Sequence, residues 1–66
     1  MKVVVKKLAL RSALDDHFRI EKWLEMGDEV TKLDAKIYYH GILDQPYYRV
    51  KTKGGIEGYV RAEAVK

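Results

Sequence analysis

The side chains with the most reactive chemistry gather between positions 12 and 17. Ser12 is the only serine of the chain, Asp15 and Asp16 are adjacent acids, and His17 follows them. Two carboxyl groups can divide acid and base roles when burial separates their pKa values, and carboxylates beside an imidazole suit a metal ion. Adjacent aspartates in a turn-like stretch more often stay solvated and hydrogen-bond to their own backbone. We therefore predict neither a catalytic residue nor a metal ligand here.

Nucleophilic catalysis has little else to use in this chain. The absence of cysteine excludes thiolate chemistry, disulfide bonds and thiolate metal sites. Ser12 lies outside any G-x-S-x-G elbow, and His40 is the only histidine besides His17. Because no nucleophile is paired with a base, we expect a non-enzymatic protein with no cofactor.

Tyrosines carry more information than the acids. Four of the five occur as adjacent pairs, Tyr38-Tyr39 and Tyr47-Tyr48. Neighbouring residues of a strand point to opposite faces, so each pair should send one ring inward and one outward. Core packing and surface cover would account for most of these rings.

A binding groove is the functional interpretation of the outward rings. They would line a groove between the loop at residues 13–18 and the loop at residues 36–46, where tyrosine offers a flat apolar face and a hydroxyl. Trp23 has two interpretations: a core residue, or an exposed interface anchor at the end of the first long loop.

The last third of the chain predicts the fold most strongly. Residues 48–53 alternate Tyr, Val and Thr with basic side chains, which is the period of a half-buried strand. Gly54 and Gly55 follow directly, and such a pair supplies positive φ in a hairpin turn. Residues 56–61 resume the alternation, and Gly58 predicts a bulge or the close approach of another backbone.

Earlier segments predict further short strands. Residues 2–12 predict a strand with a bend near its middle, and residues 18–26 an extended loop leading into a short strand, with a helical turn as the alternative. Residues 29–34 predict another strand, and residues 36–39 carry strand-favouring side chains. The prediction is an all-β single domain over residues 1–66: a small barrel of five to six antiparallel strands with at most one short helical turn.

Composition limits the partners and the compartment. Thirteen Lys and Arg against ten Asp and Glu give a net charge of +3, spread along the chain rather than clustered. The apolar run at residues 3–5 is far too short to cross a bilayer, so we expect no membrane insertion. Lys6 and Lys7 interrupt any signal-peptide core. We expect a cytoplasmic protein if residues 1–66 are the whole chain, and an exported one if they are a domain of a longer chain.

Four sequence blocks resemble the bacterial SH3-like (SH3b) domain family. LALRS at residues 8–12 resembles the family's L-x-V-R-S, and LEMGDEV at residues 24–30 resembles its L-x-x-G-x-x-V. YYRV at residues 47–50 stands where the family commonly has W-x-x-V, and GGIEGYV at residues 54–60 resembles its G-x-x-G-W-V. The spacing of the last two blocks is the most specific part of the resemblance.

The resemblance implies an SH3-like barrel that binds without catalysis. Its ligand would be a peptide, a partner protein or the peptide component of cell-wall peptidoglycan. Tyrosines stand at the two positions where the family has tryptophan. The predicted groove has Asp15 and Asp16 for cationic groups, Trp23 as a possible anchor, and Tyr38, Tyr47 and Tyr59 for stacking.

Two alternatives belong to other functional classes. A basic small barrel could bind nucleic acid through phosphate contacts from Arg49, Lys51, Lys53 and Arg61, although charges on an exposed hairpin also prevent unwanted strand pairing. A self-associating structural domain could use the apolar residues 3–5 as an edge strand and form a homo-oligomer. We rank both below the binding module.

Overall fold

The computed structural model describes residues 1–14, 17–39 and 45–66 of an all-β domain. Its six strands are β1 (Lys7–Arg11), β2 (Ile20–Glu25), β3 (Val30–Lys32), β4 (Tyr38–Tyr39), β5 (Pro46–Thr52) and β6 (Glu57–Arg61). One 3-10 helix follows at Ala62–Ala64. The predicted all-β class with five to six antiparallel strands is confirmed, and the short helical turn that the prediction allowed is the one at Ala62–Ala64.

The strands form one antiparallel sheet with an open path. Its order is β2-β1-β6-β5-β3, and β4 pairs with β5 outside that path. The segment at 18–26 therefore contains a strand and not the alternative helical turn, because its backbone pairs with β1 from Lys7↔Glu25 to Leu10↔Lys22. A register shift between Leu10 and Arg11 interrupts the ladder.

Two glycine turns set the direction of the chain between strands. Gly27 adopts φ +92° in the turn from β2 to β3, and Gly55 adopts φ +91° in the hairpin between β5 and β6. A side chain would be strained at these positive φ values, which glycine adopts freely. The Gly55 amide donates to the Thr52 carbonyl over 3.0 Å, which closes the predicted hairpin.

Gly58 permits a close approach between the neighbouring strands β1 and β6. A Cβ atom at this position would lie 2.7 Å from the Arg11 carbonyl oxygen and 2.9 Å from the Leu10 side chain. The predicted close approach of another backbone is confirmed. The missing side chain lets β6 lie against the end of β1.

The core occupies the inward face of the sheet. Alternation in β5 and β6 buries Val50, Thr52 and Val60, as the sequence pattern predicts. The other buried apolar residues packed with them are Val3, Leu8, Leu10, Leu24, Val30, Ala64 and Val65. Tyr48 packs against this cluster while remaining half-buried.

The N-terminal segment is paired on both sides. Val3 is only 1% exposed, and its amide donates to the Asp28 carbonyl over 2.9 Å. On the other side, Lys2 and Lys66 exchange two backbone hydrogen bonds of 2.7 and 2.9 Å. Backbone groups of residues 2–4 thus already bond within the chain, and self-association through residues 3–5 stays a prediction. A bend at residues 5–6 separates it from β1.

No helix within residues 1–14, 17–39 and 45–66 is long and apolar enough to cross a membrane.

Candidate binding site

Cross-strand register collects one set of side chains on the outward face of the sheet. Directly opposed residues of an antiparallel pair share a face. Ala9 opposes Trp23, Arg11 and Arg49 each oppose Tyr59, and Tyr47 opposes Arg61. The outward face therefore carries aromatic and basic side chains from β1, β2, β5 and β6, all on a rigid ladder.

A pocket of about 260 Å³ lies in this outward face. Its lining residues are Lys7, Leu8, Ala9, Arg11, Trp23, Gln45, Tyr47 and Arg61. Residues two apart on a strand share a face, so Ala9 stands between Lys7 and Arg11 on β1. The single methyl group of Ala9 leaves space that the longer neighbours surround. We call this space the Ala9 pocket.

Three cations surround the Ala9 pocket: Lys7, Arg11 and Arg61. The Arg11 guanidinium stacks on the Phe18 ring, 4.2 Å from its centroid, which restricts its rotamers. Arg61 forms a 3.4 Å ion pair with Glu63, and both side chains are well exposed. Such a pair contributes little in water, so the Arg61 charge remains available to a ligand.

Trp23 is the exposed aromatic wall of the pocket. Its side chain is 57% exposed, whereas the neighbouring Leu24 is buried, because successive strand residues alternate faces. Of the two interpretations of Trp23, the exposed position is the one observed. Tryptophan in such a position presents a large rigid surface to a partner.

Tyr47 occupies a different environment from the predicted groove position. Its ring is 1% exposed, so it offers no open face for stacking. In the sheet, Tyr47 opposes Tyr38 of β4 on one side and Arg61 of β6 on the other. Local sequence does not reveal the pairing of β4 with β5. Tyr47 contributes to the wall of the Ala9 pocket instead.

Tyr38 and Tyr59 do come together, as the predicted groove required. Their rings pack edge to face, with centroids 5.3 Å apart. The Tyr38 hydroxyl donates to Asp34 Oδ2 over 2.7 Å. This hydrogen bond is the main cause that lowers the pKa of Asp34 and raises the pKa of Tyr38. Lys36 lies over the Tyr38 ring at 5.0 Å.

The predicted groove also included two aspartates. Asp15 and Asp16 lie outside the described residues, as do residues 40–44 of the predicted loop at residues 36–46. His17 is exposed beside them in sequence. Within the described ranges, no group of three His, Cys, Asp or Glu side chains comes close enough to hold a metal ion.

Acids interrupt the predicted phosphate-contacting stripe. Arg49 forms a 3.0 Å ion pair with Glu57, and the same Glu57 opposes Lys51 across the hairpin. Lys53 is exposed at the far end of the sheet, where it lines a second pocket of about 120 Å³ that also contains Asp28 and Glu29. Of the four predicted stripe residues, only Arg61 borders the Ala9 pocket.

Sequence reasoning missed Lys7, Ala9 and Arg11. Their spacing at alternate positions of β1 predicted a shared face, but charged residues on one strand usually mean solvent contact. The strand order β2-β1-β6 brings these residues beside Trp23 and Arg61. That order depends on pairing between distant segments, which local sequence does not show.

Comparison of the chain with protein-family models, with curated proteins and with solved structures found no match. Fold, charge and geometry of the outward face are therefore the grounds for a functional proposal.

Proposed function

We propose that this protein is a non-catalytic binding module that recognises an extended peptide segment on the outward face of its sheet. The segment would belong to a partner protein or to the peptide component of the cell wall. The observation that carries this proposal is the Ala9 pocket, where the exposed Trp23 ring stands beside three cations.

The rigidity of the surface supports binding. Ala9, Trp23 and Arg61 all lie in paired strands, so their backbones need no rearrangement when a ligand arrives. A preorganised surface lowers the ordering cost of association. An exposed aromatic side chain beside a basic one is the composition that interface centres favour.

Resemblance to the SH3b family supports the same proposal. The resembling blocks include Gly27 and Gly58, and the structure requires glycine at both positions. Gly27 has a positive φ, and a side chain at Gly58 would collide with the backbone of β1. We propose that the chain is a divergent SH3-like domain in which Tyr47 and Tyr59 replace the family's tryptophans. Peptide recognition is what that resemblance implies.

The test is a titration with short blocked peptides, followed through the amide proton–nitrogen resonances of the protein. We would use acetylated and amidated pentapeptides of acidic, neutral and basic character. Saturable shifts that map to β1, β2 and β6 around the Ala9 pocket support the proposal. Shifts confined to the opposite end of the sheet, or no shifts with any peptide, contradict it.

A cell-wall ligand has its own test. Purified sacculi should pellet the wild-type protein and release it when Trp23 is replaced by Ala. If the Trp23→Ala variant pellets with sacculi as well as the wild type does, wall binding does not use Trp23. A protein that never pellets leaves the partner-protein version as the one to pursue by peptide titration.

One observation favours a nucleic-acid alternative: Lys7, Arg11 and Arg61 cluster beside Trp23, and bases stack on exposed aromatic rings. Retention on a heparin column that salt removes would support this alternative. If the predicted stripe contributes, replacing Lys51 and Lys53 by Glu should lower this retention. If the Ala9 pocket contributes, replacing Lys7 by Glu should lower it.

A further inference from the structure

We infer that the Ala9 pocket selects a carboxylate, and that its ligand is an acidic segment of a partner protein with an apolar side chain next to the acid. This inference rests on the proposed function and adds the chemical class of the ligand. Among the described residues, those that line the pocket include Lys7, Arg11 and Arg61, and none of them is acidic.

The donor set suits a carboxylate. A guanidinium presents paired N–H groups in a fork that matches two carboxylate oxygens, and such charge-assisted bonds are stronger than neutral ones. Arg11 is already held against Phe18, so less rotamer freedom is lost when it binds. Lys7 adds an exposed ammonium group to the pocket lining.

The positive region is bounded by acids on its flanks. Glu25 opposes Lys7 across the β1–β2 pair, and Glu63 lies 3.4 Å from Arg61. Beyond Tyr59, the Arg49 charge is paired with Glu57 at 3.0 Å. A nucleic-acid strand needs a basic track that follows successive phosphates. A short cluster limited by acids instead fits one isolated anionic group.

An apolar contact lies directly beside the cations. Trp23 stands across from Ala9, and Ile20, 42% exposed, stands across from Arg11 on the same side of β2. In an extended peptide, side chains two residues apart point the same way about 7 Å apart. A segment with an acid and an apolar residue at that spacing, or adjacent on a turn, would reach the cations and Trp23 together.

Trp23 provides a built-in reporter for the test, since it is the only tryptophan of the chain. The probes are the blocked pentapeptides Gly-Glu-Gly-Leu-Gly, Gly-Gln-Gly-Leu-Gly and Gly-Lys-Gly-Leu-Gly, which place the test residue and Leu two positions apart. None of them fluoresces as tryptophan does. We expect the acidic peptide to change Trp23 fluorescence saturably. The Gln peptide should bind about tenfold more weakly, as expected for loss of charge-assisted hydrogen bonds. Raised salt should weaken only the acidic peptide.

Variants localise the effect. Arg61→Gln and Lys7→Gln should each weaken the acidic peptide about five- to tenfold. Lys51→Gln is the matched control, because it removes one charge from the same face outside the pocket, and it should change the affinity less than twofold. Ala9→Leu keeps every charge and fills the pocket, so it should remove binding. Dispersed amide resonances verify that each variant is folded.

Each outcome separates the inference from the proposed function. Equal affinity for the acidic and Gln peptides, or equal losses in Arg61→Gln and Lys51→Gln, overturns carboxylate selection. If a neutral or basic peptide still binds the outward face, the proposed peptide binding stands and only carboxylate selection is overturned. No binding by any peptide overturns both. Tighter binding of an eight-residue thymidine oligonucleotide, with a log–log salt slope of about −2 or steeper, overturns the acidic-peptide inference in favour of nucleic acid.

Discussion

The ring of Tyr38 packs edge to face against the ring of Tyr59, with centroids 5.3 Å apart and planes inclined at 73°. Tyr38 lies on β4 and Tyr59 on β6, and both strands pair with β5 between them. Because β4 has only two residues, it gains few backbone hydrogen bonds. The Tyr38 side chain adds two contacts to this short strand: the ring contact with Tyr59 of the sheet and the hydrogen bond to Asp34.

Removal of the Tyr38 hydroxyl should change the titration of Asp34. The hydrogen bond from Tyr38 lowers the pKa of Asp34 below its ordinary 3.8. In Tyr38→Phe, the pKa of Asp34 should therefore rise toward 3.8, as measured from its carboxyl carbon resonance. Tyr39→Phe is the control, because Tyr39 is 62% exposed on the opposite side of β4. An Asp34 pKa that stays equally low in Tyr38→Phe would contradict the hydrogen bond.

The hydrogen-bonded pair of Asp34 and Tyr38 should make the free energy of unfolding depend on pH at both low and high pH. A carboxyl whose folded pKa is lowered stabilises the fold above 3.8 and loses that contribution as pH falls through the folded value. The raised pKa of Tyr38 has the opposite sign: its contribution is present below 10.0 and is lost as pH rises through the folded value. Urea midpoints of wild type and Tyr38→Phe should converge at both extremes. A constant difference across the whole pH range would contradict this linkage.

Replacement of Gly58 by Ala should destabilise the domain. The new Cβ would meet the Arg11 carbonyl oxygen at 2.7 Å, so backbone atoms must move. We expect a loss of about 1–3 kcal/mol in the free energy of unfolding, measured by urea denaturation. Gly54→Ala is the matched control, since its Cβ would have an ordinary 3.8 Å contact with Thr52. A Gly58→Ala protein as stable as Gly54→Ala would refute the close approach.

Adjacent residues of β2 should respond very differently to truncation. Leu24→Ala removes a buried side chain and should cost about 2–5 kcal/mol. Trp23→Ala, on the outward face, should cost only about 0.5–1 kcal/mol despite the larger side chain. Urea denaturation of both variants tests the strand alternation. Similar losses at the two positions would mean that Trp23 is a core residue after all.

The N-terminal segment should stabilise the monomer rather than join copies of the chain. Val3→Ala should cost about 2 kcal/mol, because two methyl groups leave a buried site. Val4→Ala is the control at a 41% exposed position and should cost much less. Sedimentation should show the same monomer for both variants and the wild type. A concentration-dependent dimer that Val4→Ala abolishes would contradict this expectation and support the self-association hypothesis.

Local patterns were sufficient for the strands, because alternation is a property of neighbouring residues. Residues 48–53 and 56–61 revealed β5 and β6, and Gly58 revealed a close approach before its partner was known. The binding surface was less accessible to sequence reasoning. Its pocket needs Ala9, Trp23 and Arg61 from three strands, and their adjacency follows from lateral order rather than from any local spacing.

The burial of Tyr47 was also not predicted from local sequence. Strand alternation placed Tyr48 inward and Tyr47 outward, and the groove prediction used Tyr47 as a stacking residue. In the structure Tyr47 is the more buried of the two. Tyr47 pairs with Tyr38 of β4, a two-residue strand whose pairing with β5 has almost no sequence signature. The exposed aromatic side chain at the Ala9 pocket is Trp23.

The pairing of Lys2 with Lys66 has a consequence for synthesis on the ribosome. Residues 1–4 emerge first, yet their partners around residues 64–66 emerge last among the residues of this fold. Contacts so distant in sequence form slowly, because the loop between them must close first. We expect a nascent chain to leave Val3 exposed to solvent and to chaperones until residue 66 has cleared the exit tunnel.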